Sequence, residues 1–231
     1  MRFFISICLI LLVLNCEDKE TSTQTPQTAK DSVATKAPAK PTTPERKYPK
    51  LTDRNAMDFF LEYEKHNKEN KIRITTDFGD IEILLYDKTK FHRANFIFLT
   101  KQDYFDGTQF YRVVKNFVIQ GGSSDDYNIA KRRQKIGKYL LPPDTKRGYT
   151  HKRGAVSMPS SEIENAYKLA SPFQFFIIQR QGGASYLDGD YTVFGEDTKG
   201  MNVVDKIANV ETDDGEWPLT NVYIRKIEII E

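Results

Sequence analysis

Apolar and polar residues alternate along several short segments of this chain, as they do in β-strands that bury one face. The segments 71–75 and 80–86 alternate in this way on either side of Thr76-Asp77-Phe78-Gly79. Gly79 favours a tight turn between them, because glycine adopts positive φ at no steric cost. The pattern predicts a β-hairpin.

A further alternating segment places an always-charged side chain among aromatic and aliphatic ones. Strict alternation predicts Tyr111 and Val113 on one face of this strand, with Phe110, Arg112 and Val114 on the other. An arginine among apolar side chains needs partners for its hydrogen-bond donors. An arginine that keeps its charge in water at a sheet edge is an equally open interpretation of this segment alone.

The run that follows, 117–120, is apolar until its last residue, Gln120, and a Gly121-Gly122 break then ends it. Three other segments carry apolar residues at helical spacing, and they predict helices over 52–68, 93–104 and 202–208. Further strands are predicted at 173–178, 192–195 and 222–230. Many short strands with two or three helices favour an all-β barrel or sandwich with helical caps.

The N-terminus has the composition of an export signal. Arg2 precedes an almost continuously apolar run, 3–14, which is short for a membrane span and suits the hydrophobic region of a secretory signal. Val13-Leu14-Asn15-Cys16 then resembles a bacterial lipobox, although a small residue is usual at the position of Asn15. We expect a signal peptide over 1–15 and acylation of Cys16; an ordinary signal cut elsewhere, or an uncleaved anchor, is the alternative.

Residues 16–49 are dominated by Thr, Lys, Ala, Pro and Ser, a composition that buries too little surface to offset the entropy of ordering. We expect a lipidated, disordered tether there, then an N-terminal amphipathic helix within 50–70 and a globular domain over 71–231. Both cysteines precede residue 17, so the domain can form neither a disulfide nor a thiolate metal site. The net charge of +2 is too close to balance to indicate nucleic-acid binding.

An ordered set of blocks from about Ile72 to Glu231 resembles the cyclophilin family of peptidyl-prolyl cis-trans isomerases. The blocks are 110–117, 120–122, 154–158, 174–177, 187–189, 193–195 and 200–204. The resemblance implies a mainly β fold, a closed eight-stranded antiparallel barrel capped by two helices, with the proline site on its outer face. The helix predicted within 50–70 is additional to this pattern.

The resemblance also implies roles for individual residues. Arg112 takes the position of the catalytic arginine, with Phe117 and Gln120 beside it as further catalytic residues. The residues implied to bind substrate are Val118, Pro159, Ser160, Gln174, Phe176, Tyr186, Leu187 and Tyr191. Two features depart from the family pattern: the segment 159–161 replaces an Ala-Asn or Ala-Arg sequence, and Phe173 replaces a serine. No cofactor and no metal are expected.

This set of residues suits rotation about an Xaa-Pro bond, whose barrier of ~18–20 kcal/mol comes from amide resonance. In the twisted transition state the prolyl nitrogen regains its lone pair, and a directed donor such as Arg112 then stabilises that state selectively. Gln120 would hold the preceding carbonyl. We therefore expect a monomeric, lipid-anchored isomerase of the bacterial cell envelope that acts on proline-containing segments of exported proteins and binds no nucleic acid.

Two rival functions stay open. The departures at 159–161 and Phe173 motivate a non-catalytic chaperone or scaffold that binds proline peptides, and a barrel that binds a small ligand is the other. His151, Ser157 and an aspartate would make a hydrolase triad, but nothing in the sequence orders them. His66 and His92 have the pattern of surface or helix-end residues.

The basic run 131–135 could contact phosphate or anionic lipid. A solvated loop is the favoured interpretation, because no aromatic residues interleave with the charges.

Overall fold

The computed structural model describes residues 47–160 and 165–231. The predicted signal peptide (1–15), the lipidation site Cys16 and nearly all of the predicted tether (16–49) lie outside the described residues. Within the two described ranges, no helix is both long enough and apolar enough to cross a bilayer.

The elements of the described chain alternate between short strands and a few helices. In order they are β1 (Leu51–Thr52), α1 (Ala56–His66), β2 (Lys71–Thr76), β3 (Gly79–Leu85), α2 (Lys90–Lys101), β4 (Gln109–Val114), β5 (Val118–Ser123), α3 (Tyr127–Ile136), β6 (Gly137–Lys138), β7 (Ala155–Met158), β8 (Phe175–Ile178), β9 (Thr192–Lys199), α4 (Met201–Ile207) and β10 (Ile224–Ile229). Strands β1 and β6 form a small parallel pair of their own.

The other eight strands form one antiparallel sheet in the order β10-β2-β3-β9-β7-β8-β5-β4. The two ends of this sheet meet, since Phe110 N donates to Val222 O at 2.9 Å and Ile224 N donates to Thr108 O at 2.8 Å. The sheet is therefore a nearly closed barrel, as the mainly β prediction requires. Full closure was expected, but β4 and β10 are joined by a few bonds at one end instead of a continuous ladder.

The predicted hairpin is confirmed as β2 and β3. Thr76 pairs with Gly79 across the turn, and Gly79 has φ +126°. Ile72 and Ile74 of β2 and Ile81 of β3 are buried in the barrel interior, while the residues between them face outward.

Strand β4 departs from strict alternation. Its register against β5 shifts between Phe110 and Arg112, which makes Tyr111 an extra residue, a β-bulge. Phe110 and Val113 are buried, whereas Tyr111, Arg112 and Val114 are half-buried. The predicted pairing of Tyr111 with Val113 on one face, and of Phe110 with Arg112 on the other, is wrong because alternation alone cannot reveal a bulge.

The glycine pair after Gln120 does not break the strand, contrary to the sequence prediction. Strand β5 runs through Gly121 and Gly122 to Ser123. A Cβ on Gly121 would lie 3.0 Å from the Phe110 ring, and one on Gly122, which has φ +95°, would lie 2.5 Å from the Phe173 carbonyl oxygen. The glycines allow this close packing inside the sheet.

Helices α1 and α2 pack through aromatic rings. Phe98 of α2 lies within 4.9–5.8 Å of Tyr48, Phe59, Phe60 and Tyr63, measured between ring centroids. The N-terminal helix therefore contributes Ala56 and Phe60 to the main hydrophobic core.

His92, expected at the surface or at a helix end, lies in the first turn of α2 and is completely buried. Its ring stacks on Phe194 of β9 at 6.3 Å, and neither ring nitrogen has a hydrogen-bond partner among the residues that the structure describes. Burial lowers the pKa of His92 to about 3, so the imidazole is neutral. His66, by contrast, is exposed as predicted.

The basic run predicted as a solvated loop forms half of α3. Asp126 caps this helix by accepting a hydrogen bond from Asn128 N at 2.6 Å, and Ile129 and Ile136 bury its apolar side. The Arg132 guanidinium donates to two backbone carbonyls in the turn after α2. The described chain thus has four helices, one more than the three that the sequence predicts.

Candidate functional site

Side chains on the outer face of the sheet form a second apolar cluster, separate from the barrel core. Along β8, Phe175 and Ile177 belong to the core, while Phe176 and Ile178 belong to this outer cluster. The alternation follows from the two-residue period of a strand, and it is continued by residues of β5, β7 and β9. Strand β8, which is apolar on both faces, therefore packs one face into the barrel core and presents the other to the outer cluster.

A pocket of about 280 Å³ opens over this outer cluster. It brings together eight of the predicted site residues, namely Arg112, Phe117, Val118, Gln120, Pro159, Phe176, Leu187 and Tyr191. The floor is apolar, with Val118 and Phe176 almost fully buried. Arginine and glutamine side chains supply the polar groups that the sequence places on an otherwise apolar surface.

Sheet register fixes the polar groups beside the apolar floor. Arg112 of β4 pairs with Gln120 of β5, and Gln120 pairs in turn with Phe176 of β8. A guanidinium, an amide and a phenyl ring therefore stand in a row across three adjacent strands. Neighbouring strands are ~4.8 Å apart, a spacing that suits contacts with a single dipeptide unit.

Three predicted substrate-binding residues do not line the pocket. Tyr186 is 61% exposed, and its ring lies 5.9 Å from the Phe117 ring, so it extends one wall outward. Gln174 is half-buried just before β8, and Ser160 is half-buried and bridges to Ala170. Of the described residues in the loop that carries Ser160, Pro159 lines the pocket.

Sequence reasoning missed the residues that hold the two polar groups of the pocket. Glu216 Oε2 lies 2.7 Å from Arg112 Nε. The Gln120 amide nitrogen donates to the hydroxyl of Tyr111, whose ring lies 5.8 Å from that of Trp217. Nothing in the local sequence around Glu216 or Trp217 signals these contacts, since they join positions about 100 residues apart.

The structure does order His151, Ser157 and an aspartate, contrary to the sequence analysis. Asp188 Oδ1 lies 2.6 Å from His151 Nδ1, and His151 Nε2 lies 3.1 Å from Ser157 Oγ. Ser157 is fully buried, however, and its hydroxyl donates to the Thr192 carbonyl at 2.8 Å. A hydroxyl without access to substrate is no nucleophile, so this network serves as a brace.

The brace lies directly beneath the pocket. The His151 ring stacks on the Phe176 ring with an interplanar angle of 10° and 5.9 Å between centroids. Burial lowers the pKa of His151, and the hydrogen bond to Asp188 opposes that shift. Asp188 also accepts a bond from the backbone N of His151 at 2.8 Å, which ties the turn carrying Leu187 to the floor.

Among residues 47–160 and 165–231, no group of three or more His, Cys, Asp or Glu side chains could hold a metal ion.

The known proteins that this chain resembles belong to the family that the pocket residues lead us to expect. Residues 71–229 match the family described as cyclophilin type peptidyl-prolyl cis-trans isomerase/CLD. A peptidyl-prolyl cis-trans isomerase from Acinetobacter baylyi is 34% identical over 145 residues, which cover 61% of this chain and 73% of that protein. Peptidyl-prolyl cis-trans isomerase-like 2 from Rhizopus delemar is 34% identical over 169 residues, which cover 72% of this chain but 30% of that protein. The chain thus spans less than a third of the Rhizopus protein's length.

Solved structures show the same fold. A cyclophilin type peptidyl-prolyl cis-trans isomerase from Cryptosporidium parvum superposes with a TM-score of 0.59 at 25% identity, covering 71% of this chain and 98% of that chain. The same protein solved in the presence of the dipeptide Ala-Pro gives a TM-score of 0.58. The chain belongs to the cyclophilin-type peptidyl-prolyl cis-trans isomerase family.

Proposed function

We propose that the domain accelerates cis-trans isomerisation of Xaa-Pro bonds, with the proline ring in the outer pocket and Arg112 directed at the prolyl nitrogen. The observation that carries the proposal is the pairing of Arg112 with Gln120 at the edge of an apolar floor made by Val118 and Phe176. The family match and the Ala-Pro dipeptide present with the Cryptosporidium relative support the same substrate class.

The chemistry requires only selective stabilisation of a twisted amide. In the planar ground state the prolyl nitrogen is a poor acceptor, because its lone pair is delocalised, whereas in the twisted state it accepts a hydrogen bond from Arg112. A hydrogen bond to a charged group is worth about 1.5–3 kcal/mol, which corresponds to about a 10- to 100-fold acceleration. Gln120 is placed to hold the carbonyl of the preceding residue while the ring rotates.

The test is exchange spectroscopy by NMR on a short peptide with one Xaa-Pro bond, with and without the purified protein. The proposal expects cis and trans signals to exchange measurably faster with catalytic amounts of protein. An unchanged exchange rate would contradict it.

A second candidate is a proline-peptide binder without turnover. One observation favours it: Pro159 occupies the pocket wall where the family has a different sequence. The same NMR samples separate the two functions. Chemical-shift changes of the peptide resonances without faster cis-trans exchange would establish binding alone.

We also propose that the protein is a monomer attached to a bacterial cell envelope through lipidated Cys16, and that it acts on exported proteins without binding nucleic acid. The support is the apolar run 3–14 followed by the lipobox-like Val13-Leu14-Asn15-Cys16. Cys16→Ser should abolish fatty-acid labelling and release the protein from membranes. Labelling that persists in this variant would refute the anchor.

A further inference from the structure

We propose that the loop 211–219 positions the two polar groups of the isomerase pocket, and that Glu216 is the residue through which it orients Arg112. This inference rests on the proposed function, since it concerns how the donor to the prolyl nitrogen is held. A loop can fix a side chain only if its own backbone is fixed.

The loop closes on itself through its own hydrogen bonds. Asp213 Oδ1 accepts from the backbone N of Gly215 and of Trp217, both at 2.9 Å. Leu219 N donates to Glu211 O at 2.9 Å, and Asp213 N donates to Trp217 O at 2.9 Å. An aspartate that caps its own turn in this way restricts the backbone at the positions that follow it.

The loop is also attached to the bulged strand of the site. Val113 N donates to Glu216 O at 2.8 Å, so the backbone of Glu216 is bonded to β4 one residue beyond Arg112. Glu216 has φ +64°, a left-handed conformation that is uncommon outside glycine and asparagine. Its backbone is held there by the bond to Val113 and by its own N–H, which donates to Asp213 O at 3.0 Å.

From this position the Glu216 carboxylate reaches the guanidinium. Oε2 lies 2.7 Å from Arg112 Nε, and the two side chains are 41% and 35% exposed. An exposed pair of this kind contributes little to stability, because solvent screens the charges. It does restrict the Arg112 rotamer, and the guanidinium carries four further N–H donors on its terminal nitrogens that can be directed at a substrate.

Trp217, the next residue of the loop, supports Gln120, the second polar group of the pocket. Trp217 packs against Tyr111 at 5.8 Å, and the Tyr111 hydroxyl accepts from the Gln120 amide. The bulge in β4 is what makes both contacts available, since it places Tyr111 and Arg112 side by side and half-buried. One loop thus holds Arg112 directly and Gln120 through Tyr111.

The experiment compares Glu216→Ala, Glu216→Gln and the control Asp214→Ala, which removes an exposed carboxylate from the same loop. Peptide exchange at saturation and peptide affinity are measured for each variant in the full-length protein. For Glu216→Ala we expect the saturated exchange rate to fall about tenfold, equivalent to about 1.4 kcal/mol, with the peptide Kd changed less than about twofold. Glu216→Gln keeps an oxygen acceptor for Nε, so its rate should stay within about threefold of wild type.

Two spectroscopic readouts separate positioning from a general loss of structure. The Arg112 Nε–H resonance should persist in the wild type and in Glu216→Gln, and broaden by solvent exchange in Glu216→Ala. Trp217 is the one tryptophan of the chain, so tryptophan emission reports the loop directly. If Glu216→Ala changes that emission, its loop structure is altered, and the Glu216→Gln variant becomes the test of the positioning role. A saturated exchange rate of Glu216→Gln about tenfold below wild type would then overturn the proposal.

A Glu216→Ala protein that exchanges the peptide as fast as wild type, or faster, would overturn the positioning role. An equal loss in Asp214→Ala would do the same, because the effect would then belong to loop charge in general. Absence of exchange in the wild type is a different result. It would overturn the proposed function and this inference with it, whatever the Nε–H signal shows about the pair.

Discussion

Acid should destabilise this fold through one buried imidazole. His92 of α2 is neutral and fully buried against β9, and within the described part of the chain neither ring nitrogen has a hydrogen-bond partner. In the unfolded chain its pKa returns to an ordinary value near 6.5, whereas burial lowers the folded-state pKa to about 3. Between these two values the unfolded state binds the extra proton. Stability therefore rises with pH across this window and is lost as the pH falls through it.

The magnitude follows from the two pKa values. For an unfolded pKa of about 6.5 and a folded pKa of about 3, lowering the pH from about 7.5 to about 5 should cost about 2 kcal/mol from His92 alone. Total stabilities are about 5–15 kcal/mol for typical domains, so this is a measurable fraction.

The assay is urea unfolding at a series of pH values for the wild type, His92→Leu and His66→Leu. Other titrating groups contribute too, among them Asp197, whose pKa burial raises to about 6, and they are shared by all three proteins. The pH-dependent loss should be smaller by about 2 kcal/mol in His92→Leu than in the wild type, and His66→Leu controls for the removal of an exposed histidine. If the free energy of unfolding falls with pH by the same amount in His92→Leu and in the wild type, His92 is not a buried, neutral imidazole in the folded protein.

Three further predictions follow from packing. Gly122→Ala should lower the free energy of unfolding by about 2 kcal/mol or more, because the added Cβ would meet a backbone oxygen at a residue with positive φ. The control Gly182→Ala, whose Cβ would meet no described atom within 4 Å, should change it little. Equal thermal midpoints for the two variants would contradict this prediction. Phe98→Ala should cost about 3–5 kcal/mol by removing the ring that joins α1 to α2, and calorimetry showing less than about 1 kcal/mol would show that α1 is not part of the core. Asp188→Ala should weaken peptide binding several-fold, because the turn that carries Leu187 loses its hydrogen bonds to His151 beneath the pocket. An unchanged peptide Kd in an NMR titration would show that these hydrogen bonds are not needed for binding.

The barrel and most of the pocket could be predicted because they depend on local pattern and on ordered blocks. Alternation places Ile72 and Ile74 inside, and Gly79 marks the turn. The family resemblance supplies Arg112 and Gln120, and sheet register brings them together. These features follow from residues that are close in sequence or that recur in a known order.

What could not be predicted depends on residues distant in sequence. The bulge at Tyr111 is a property of two paired strands, and alternation along one strand cannot show it. His92 occupies the polar-looking start of a helix, and only its contact with β9 makes it a core residue. The polar α3 is held by Asp126 and two buried isoleucines, a sparse signal beside its many charges.

The supports of the site were missed for the same reason. Glu216 is about 100 residues from Arg112, and Asp188 is 37 residues from His151. A carboxylate in a polar loop carries no local sign of the cation that it contacts. Contacts of this kind appear only once the fold has brought the two segments together.

The most direct test of the central claim is peptide exchange by NMR with Arg112→Ala, Arg112→Lys and Arg225→Ala beside the wild type. Arg225 is an exposed arginine of β10 that pairs with Asp77, so its removal controls for the loss of a surface charge. We expect the wild type and Arg225→Ala to accelerate exchange equally. Arg112→Ala should lose about 10- to 100-fold, and Arg112→Lys, which keeps the charge without the guanidinium fork, should recover little. Full activity in Arg112→Ala, with the peptide still bound in the pocket, would contradict the account.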